Sequence, residues 1–211
     1  MLTYYLYSIL PVVVVIGIVA LVARRAWTMR RREKETLRTI ASRLGFKFSE
    51  PESSSTFVRM IGGWQISGTY NRVPVLIYGK KVSDDDGSSE STFIDAAANC
   101  QRKFELTIAR ETTMSRVGGA VFGLQDVTTG NAELDRLVVI KGVPTHVVKK
   151  TVDHPELQRE LLRLFELDGL IHVDLRGAHY RQSVSFKDEQ AVRTLLDAMT
   201  RTVLALEKAT A

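Results

Sequence analysis

Cysteine is nearly absent: Cys100 is the only one among 211 residues. No intrachain disulfide can form, which suits a reducing compartment. No cysteine follows closely on the N-terminal apolar run, so a lipid-modified anchor there is excluded. Nothing near Cys100 marks it as a nucleophile, and it reads as a small core or strand residue. Phosphate loops are also missing. Gly118, Gly119 and Gly123 form GGAVFG, which has neither the G-x-G-x-x-G spacing nor a GKS or GKT ending. Gly62-Gly63 is a bare pair before a strand, and Thr128 to Asn131 reads as a turn. No G-x-S-x-G elbow occurs. The histidines, His146, His154, His172 and His179, make no H-x-x-x-H pair. Asp84-Asp85-Asp86-Gly87 resembles a calcium loop only superficially. With Gly87 as sixth residue, Val82 and Phe93 occupy the first and twelfth positions, where carboxylates are required. No motif implies a cofactor, and the balance favours a protein that is not an enzyme.

Charge is absent from Thr3 to Ala23, 21 positions in a row. A bilayer core is about 30 Å thick, and roughly 20 apolar residues in a helix cross it. Seven cations follow at once: Arg24, Arg25, Arg30, Arg31, Arg32, Lys34 and Arg38. A cleavable signal would carry its positive charge before the apolar run. The asymmetry instead predicts a retained single-pass anchor, residues 1–23, in the cell (inner) membrane, with the N-terminus outside and the rest cytoplasmic. Tyr4, Tyr5 and Tyr7 then lie at the outer interface and Trp27 near the inner one.

The whole chain has 29 Lys and Arg against 24 Asp and Glu, and a pI near 9.4. Nucleic acid is nevertheless not the partner these figures imply. Residues 24–38 hold seven of the cations and only two anions, Glu33 and Glu35, which leaves 22 of each sign for residues 39–211. The basic excess is a juxtamembrane feature. Arg24, Arg25, Arg30, Arg31, Arg32 and Lys34 are therefore the expected membrane-surface contacts, each attracting an anionic leaflet by about 1 kcal/mol.

Past the anchor, residues 24–45 read as a basic juxtamembrane helix or stalk, and residues 46–211 as one cytosolic α+β domain. Leu37, Ile40, Ala41 and Leu44 form a buried stripe at helical spacing, stopped by Gly45. Phe46 and Phe48 begin extended structure, and residues 51–55 read as a loop. Gly63 to Tyr70 alternates with period two, Asn71 to Pro74 is a turn, and Val75 to Tyr78 returns, which makes a β-hairpin. Ser83 to Ser91 reads as an exposed acidic loop, Gln101 to Arg110 as a strand, residues 111–130 as irregular connection, and Leu137 to Ile140 as a short strand broken by Gly142, Val143 and Pro144. A short helix is expected over Thr145 to Thr151. Another starts at Pro155, with Asp153 or His154 as cap and Leu157, Leu161, Leu164 and Phe165 as its stripe.

A second hairpin follows. With Arg176-Gly177 as its turn, Leu175 faces Ala178, Val173 faces Tyr180, Asp174 faces His179 and His172 faces Arg181. Val184 and Phe186 extend the inward side. Asp188 caps a last helix to about Lys208, carrying Val192, Leu195, Leu196, Met199, Val203 and Leu206. There is no internal repeat. Antiparallel hairpins covered by helices, including a long C-terminal one, define the α+β class.

One cluster carries candidate chemistry. His172, Asp174, His179 and Arg181 share the polar side of the second hairpin, and the first three are ligand and acid–base residue types. The sequence supports first a membrane-tethered interaction or scaffold domain, for an unnamed protein partner and with oligomeric state open. Its alternatives are a small-ligand or enzymatic domain using that polar face, and an anionic-lipid sensor using the arginine cluster.

Overall fold

The structure, a computed structural model, describes residues 21, 24–25, 28, 31–32, 34–50, 64–84, 87–100, 104–113, 125–182 and 188–211. Nearly all of the expected span, residues 1–20 included, lies outside these, as do Arg30, the 51–55 loop, the 118–123 glycines, Val184 and Phe186. Among the described residues no helix is long and apolar enough to cross a membrane. The chain divides into two compact units, Met1–Ile40 and Ala41–Ala211. In the first, the described residues are helical, and Leu37 and Ile40 are buried while Arg24, Arg25, Arg31 and Arg32 are exposed.

The second unit opens on the end of that helix, which closes as the stripe predicts. Gly45 takes φ +72°. Its N–H bonds the Ser42 carbonyl at 3.1 Å, and the Phe46 N–H bonds Ala41 at 2.8 Å. This pair of bonds is a Schellman closure, which needs the left-handed residue that glycine supplies without strain.

Among the described residues nine strands then form one antiparallel sheet: β1 (Lys47–Ser49), β2 (Trp64–Tyr70), β3 (Val73–Asp84), β4 (Gly87–Ala97), β5 (Glu105–Ala109), β6 (Gln125–Val127), β7 (Val139–Val143), β8 (Leu170–Asp174) and β9 (Gly177–Gln182). Their order is β1-β2-β3-β4-β9-β8-β5-β7-β6. Beyond that first helix, the helices with both ends among the described residues are α1 (Ala132–Leu137), α2 (Thr145–Val152), α3 (Pro155–Phe165) and α4 (Glu189–Thr210). The α+β class, the antiparallel hairpins and the long C-terminal helix are as expected.

The β2–β3 hairpin turns on Asn71 and Arg72, both at positive φ (49° and 70°). Two such residues match the twist of the flanking strands. The turn is thus shorter than Asn71 to Pro74. Pro74 already pairs with Thr69, and the ladder to β4 begins only at Val75, so its missing N–H breaks no bond.

Elsewhere in these strands the expectations also need correction. Ser83 to Ser91 is not a loop: β3 and β4 run through it, pairing Ser83 with Ser88 and Asp84 with Gly87. Its Ser and Asp content suggests a loop, but residues 83–84 and 87–91 lie in the ladder. Residues 111–130 hold β6, and Asn131 caps α1 through its side chain at Glu133 and Leu134 N–H. The expected strand at Leu137 to Ile140 starts only at Val139 and continues through Gly142 and Val143, which do not break it.

Alternation builds two faces. Ile66, Ile77, Ile94, Tyr180 and Ile171 stand opposite one another across β2, β3, β4, β9 and β8, and all are buried. α4 packs on β3, β4 and β9 and covers this face with the predicted residues Val192, Leu195, Leu196, Met199, Val203 and Leu206, all buried. α3 packs on α4, and its Leu157, Leu161, Leu164 and Phe165 are fully buried. Each such side chain contributes about 1.5–3 kcal/mol. His154 is the N-cap of α3, though without a side-chain capping bond, and Asp188 caps α4 by accepting from the Gln190 N–H.

Candidate functional site

The alternate residues of the same strands make the other face. Leu76, Asp95, His179 and His172 stand opposite one another across β3, β4, β9 and β8. Tyr78, Phe93 and Arg181 form the next row. Asp174 lies two residues beyond His172 on β8. These side chains are half-buried.

The register of β8–β9 differs from expectation by two residues. His172 faces His179, Asp174 faces Gly177, and Leu170 faces Arg181. The turn residues are Leu175 and Arg176, not Arg176 and Gly177. A two-residue slip leaves every side chain on its face, so the period-two pattern cannot detect it. Two local features select the observed register. The Asp174 carboxylate accepts the Arg176 N–H at 2.6 Å, bracing the turn. Gly177 lies opposite Ala97, and a Cβ there would run into the Ala96 carbonyl. That glycine serves close strand approach.

The structure thus brings His172, Asp174 and His179 together and adds Asp95 from β4. Asp95 Oδ1 is 2.8 Å from His179 Nδ1, and Asp174 Oδ1 is 3.4 Å from His179 Nε2. The imidazoles of His172 and His179 stack with centroids 4.4 Å apart and planes at 16°. Tyr78 stands close enough for the Asp95 charge to act on its hydroxyl. Arg181 does not join the cluster. Its guanidinium lies 5.6 Å from the centre of the Phe93 ring, which itself stacks on Tyr78.

The surroundings split the two histidines. Burial, reinforced by the neighbouring His179, pushes His172 down to about 4. Burial would lower His179 too, but hydrogen bonds to Asp174 and Asp95 and their charges override it and hold His179 up at about 9. For Asp174 burial works toward the neutral acid, and the His179 and Arg176 bonds more than reverse it, leaving the carboxyl below its usual range. Burial and the adjacent Asp95 push Tyr78 up to about 12. At neutral pH a carboxylate pair therefore brackets an imidazolium, beside a neutral imidazole. The group can bind a cation through Asp174 and the histidines, or hold a proton at His179.

Asp95 and Tyr78 escaped the sequence reading. For Asp95 a signal was present: it is a lone carboxylate among the apolar Phe93, Ile94, Ala96 and Ala97. Cys100 follows β4 rather than lying in a strand. It is half-buried, accepts from the Thr210 hydroxyl at 3.4 Å, and burial pushes its thiol up, opposite to what a nucleophile needs. Of the expected membrane-surface residues, Arg24, Arg25, Arg31 and Arg32 are exposed, and Lys34 is partly so.

No family model and no curated protein matches the chain. Among solved structures, the crystal structure of the mycobacterial trehalose monomycolate transport factor A is similar to it. That similarity has 12% identity over 85% of this chain and 92% of that chain, with a TM-score of 0.44, a level at which likeness carries no argument about function.

Proposed function

We propose that this chain is a single-pass membrane protein whose cytoplasmic α+β domain binds a partner at the membrane surface. The observation that carries this reading is the partition of charge. An uncharged run over residues 3–23 is followed by seven cations in residues 24–38 and then by a domain of zero net charge. Leu21, at the end of that run, is helical and 68% exposed, as a side chain meant for lipid would be. Tethering raises the effective concentration of the domain near membrane partners without any new contact.

Alkaline extraction of membranes tests the tether. The full-length chain should stay in the membrane pellet, and removal of residues 1–23 should release it. Protease added to sealed inner-membrane vesicles with the cytoplasmic side outward should digest residues 46–211. Extraction of the full chain, or protection of the domain in those vesicles, would contradict the reading.

A second reading has its own support. His172, Asp174, His179 and Asp95 are held together on a part-exposed face, which favours capture of a small ligand there. A binding face and a tether are compatible, and both dispense with covalent chemistry.

A further inference from the structure

We infer that His172, Asp174 and His179 form a transition-metal site suited to zinc, with Asp95 as the partner that orients His179. The inference stands on side-chain geometry alone and is independent of the tether.

The donor atoms of these three residues all lie within 4.8 Å of one another, and His172, now stacked on His179 with planes at 16°, would turn about its side-chain bonds to bring a ring nitrogen to the ion. Their placement comes from the sheet. His172 and Asp174 are two apart on β8 and share a face, and His179 is directly across the ladder from His172. Two imidazole nitrogens and one carboxylate oxygen are a donor set that zinc favours.

The two carboxylate contacts of His179 differ in length. A charge-assisted N–H···O bond between imidazolium and carboxylate closes to about 2.7–2.9 Å. The Asp95 contact meets that standard at 2.8 Å, while the Asp174 contact stands off at 3.4 Å. Ligand atoms about 2.0–2.2 Å from a zinc ion, at tetrahedral corners, stand about 3.4 Å apart. The separation of Asp174 Oδ1 from His179 Nε2 therefore matches two ligands of one ion. Asp95 then has a defined task. It accepts the Nδ1 proton of His179, so that when an ion displaces the Nε2 proton of the imidazolium, Nε2 is the nitrogen left to bind it.

The outer contacts complete the pattern. Metal-binding histidines usually donate their second nitrogen to a carboxylate, and metal-binding carboxylates are themselves hydrogen-bonded. Asp95 serves the first purpose. The Arg176 N–H serves the second, bonding Asp174 at 2.6 Å. Three protein ligands leave one position of a tetrahedral ion for water or a group from outside. With side-chain exposures of 24% for His179 and 21% for Asp174, that position is within reach of solvent. Sites closed for structure use four protein ligands.

The test uses the full-length chain in detergent, stripped with a chelator and titrated with zinc chloride against a chromophoric competitor. One ion per chain should bind. Asp95→Asn should weaken binding about 10–100-fold, the loss typical of an outer partner. His172→Ala and Asp174→Asn should weaken it further. His146→Ala, at an exposed histidine of α2, should change nothing. If His172→Ala fails to fold by circular dichroism, His172→Gln replaces it. Cobalt chloride on the unmodified chain gives a second readout: a strong visible band of low-symmetry Co(II), lost in the Asp174→Asn variant. Absence of stoichiometric zinc binding overturns the inference. So does binding that survives both His172→Gln and Asp174→Asn. Because no membrane or partner enters this experiment, its failure would leave the tether reading intact.

Discussion

The two faces of the central strands are made from alternate residues of the same segments, yet they are held by different physics. On one, Ile66, Ile77, Ile94, Tyr180 and Ile171 are buried on the face that α4 covers. Their cohesion is hydrophobic, non-directional and spread over many side chains. On the other, Asp95, His179, His172 and Asp174 are joined by directional contacts between few groups. A domain that needed only to fold would gain little from that second arrangement. Burying histidines and carboxylates part-way costs solvation, which their mutual contacts only offset. The comparison teaches that the apolar face makes the fold and the polar face is free to serve binding.

The largest effect should come from the apolar face. Phe165→Ala in α3 removes a fully buried ring and should lower stability by about 3–5 kcal/mol in urea unfolding. The polar face should be less sensitive. Asp95→Asn loses a charge-assisted bond to His179 and should cost about 1–3 kcal/mol at neutral pH. If Asp95→Asn proved the more damaging, the division of labour between the faces would be wrong.

The pH dependence of the metal-free protein sharpens the contrast. His179 titrates at about 9 in the folded chain against 6.5 ordinarily, so its stabilisation is complete below pH 6.5 and is lost as pH rises through 9. His172 is lowered to about 4, so the folded state resists its protonation and stability falls as pH drops from 6.5 toward 4. Together they predict a stability maximum near pH 6.5 in chemical denaturation with chelator present. His179→Gln should flatten the alkaline limb and His172→Gln the limb between pH 6.5 and 4. A flat profile over pH 4–9 would show that the histidines are not coupled to folding. The smallest effect belongs to the far edge of the polar face. The Lys141–Asp126 pair is 3.5 Å apart, with Asp126 75% exposed, and Asp126→Asn should change stability by no more than about 0.5 kcal/mol.

Much of the fold was legible because periodicity reports burial. The stripes of α3 and α4, the alternation of β2, and the cap at Asp188 were read directly, and all are as expected. What escaped was information that period two does not carry. The β8–β9 register moved by two residues, which no face pattern distinguishes; the Asp174 bond to Arg176 and the tight approach of Gly177 to β4 select it. The β3–β4 ladder ran through Ser and Asp that composition assigns to loops. At the site, His172, Asp174 and His179 were correctly placed on one face, because a two-residue slip preserves faces. Asp95 was missed because its partner lies 84 residues away in sequence. Arg181 was grouped with them and shares their face, but packs on Phe93 instead.

The most direct measurement concerns whether the polar face meets a partner at the membrane. A photoreactive amino acid would be placed in the full-length chain, in native membranes, at Leu76 or Ala97 on the polar face, or at exposed Arg201 on α4. The expected result is a discrete crosslinked product from Leu76 and Ala97, diminished by His179→Gln, and none from Arg201. Crosslinking from Arg201 alone, or equally from all three positions, would show that the polar face is not where a partner docks.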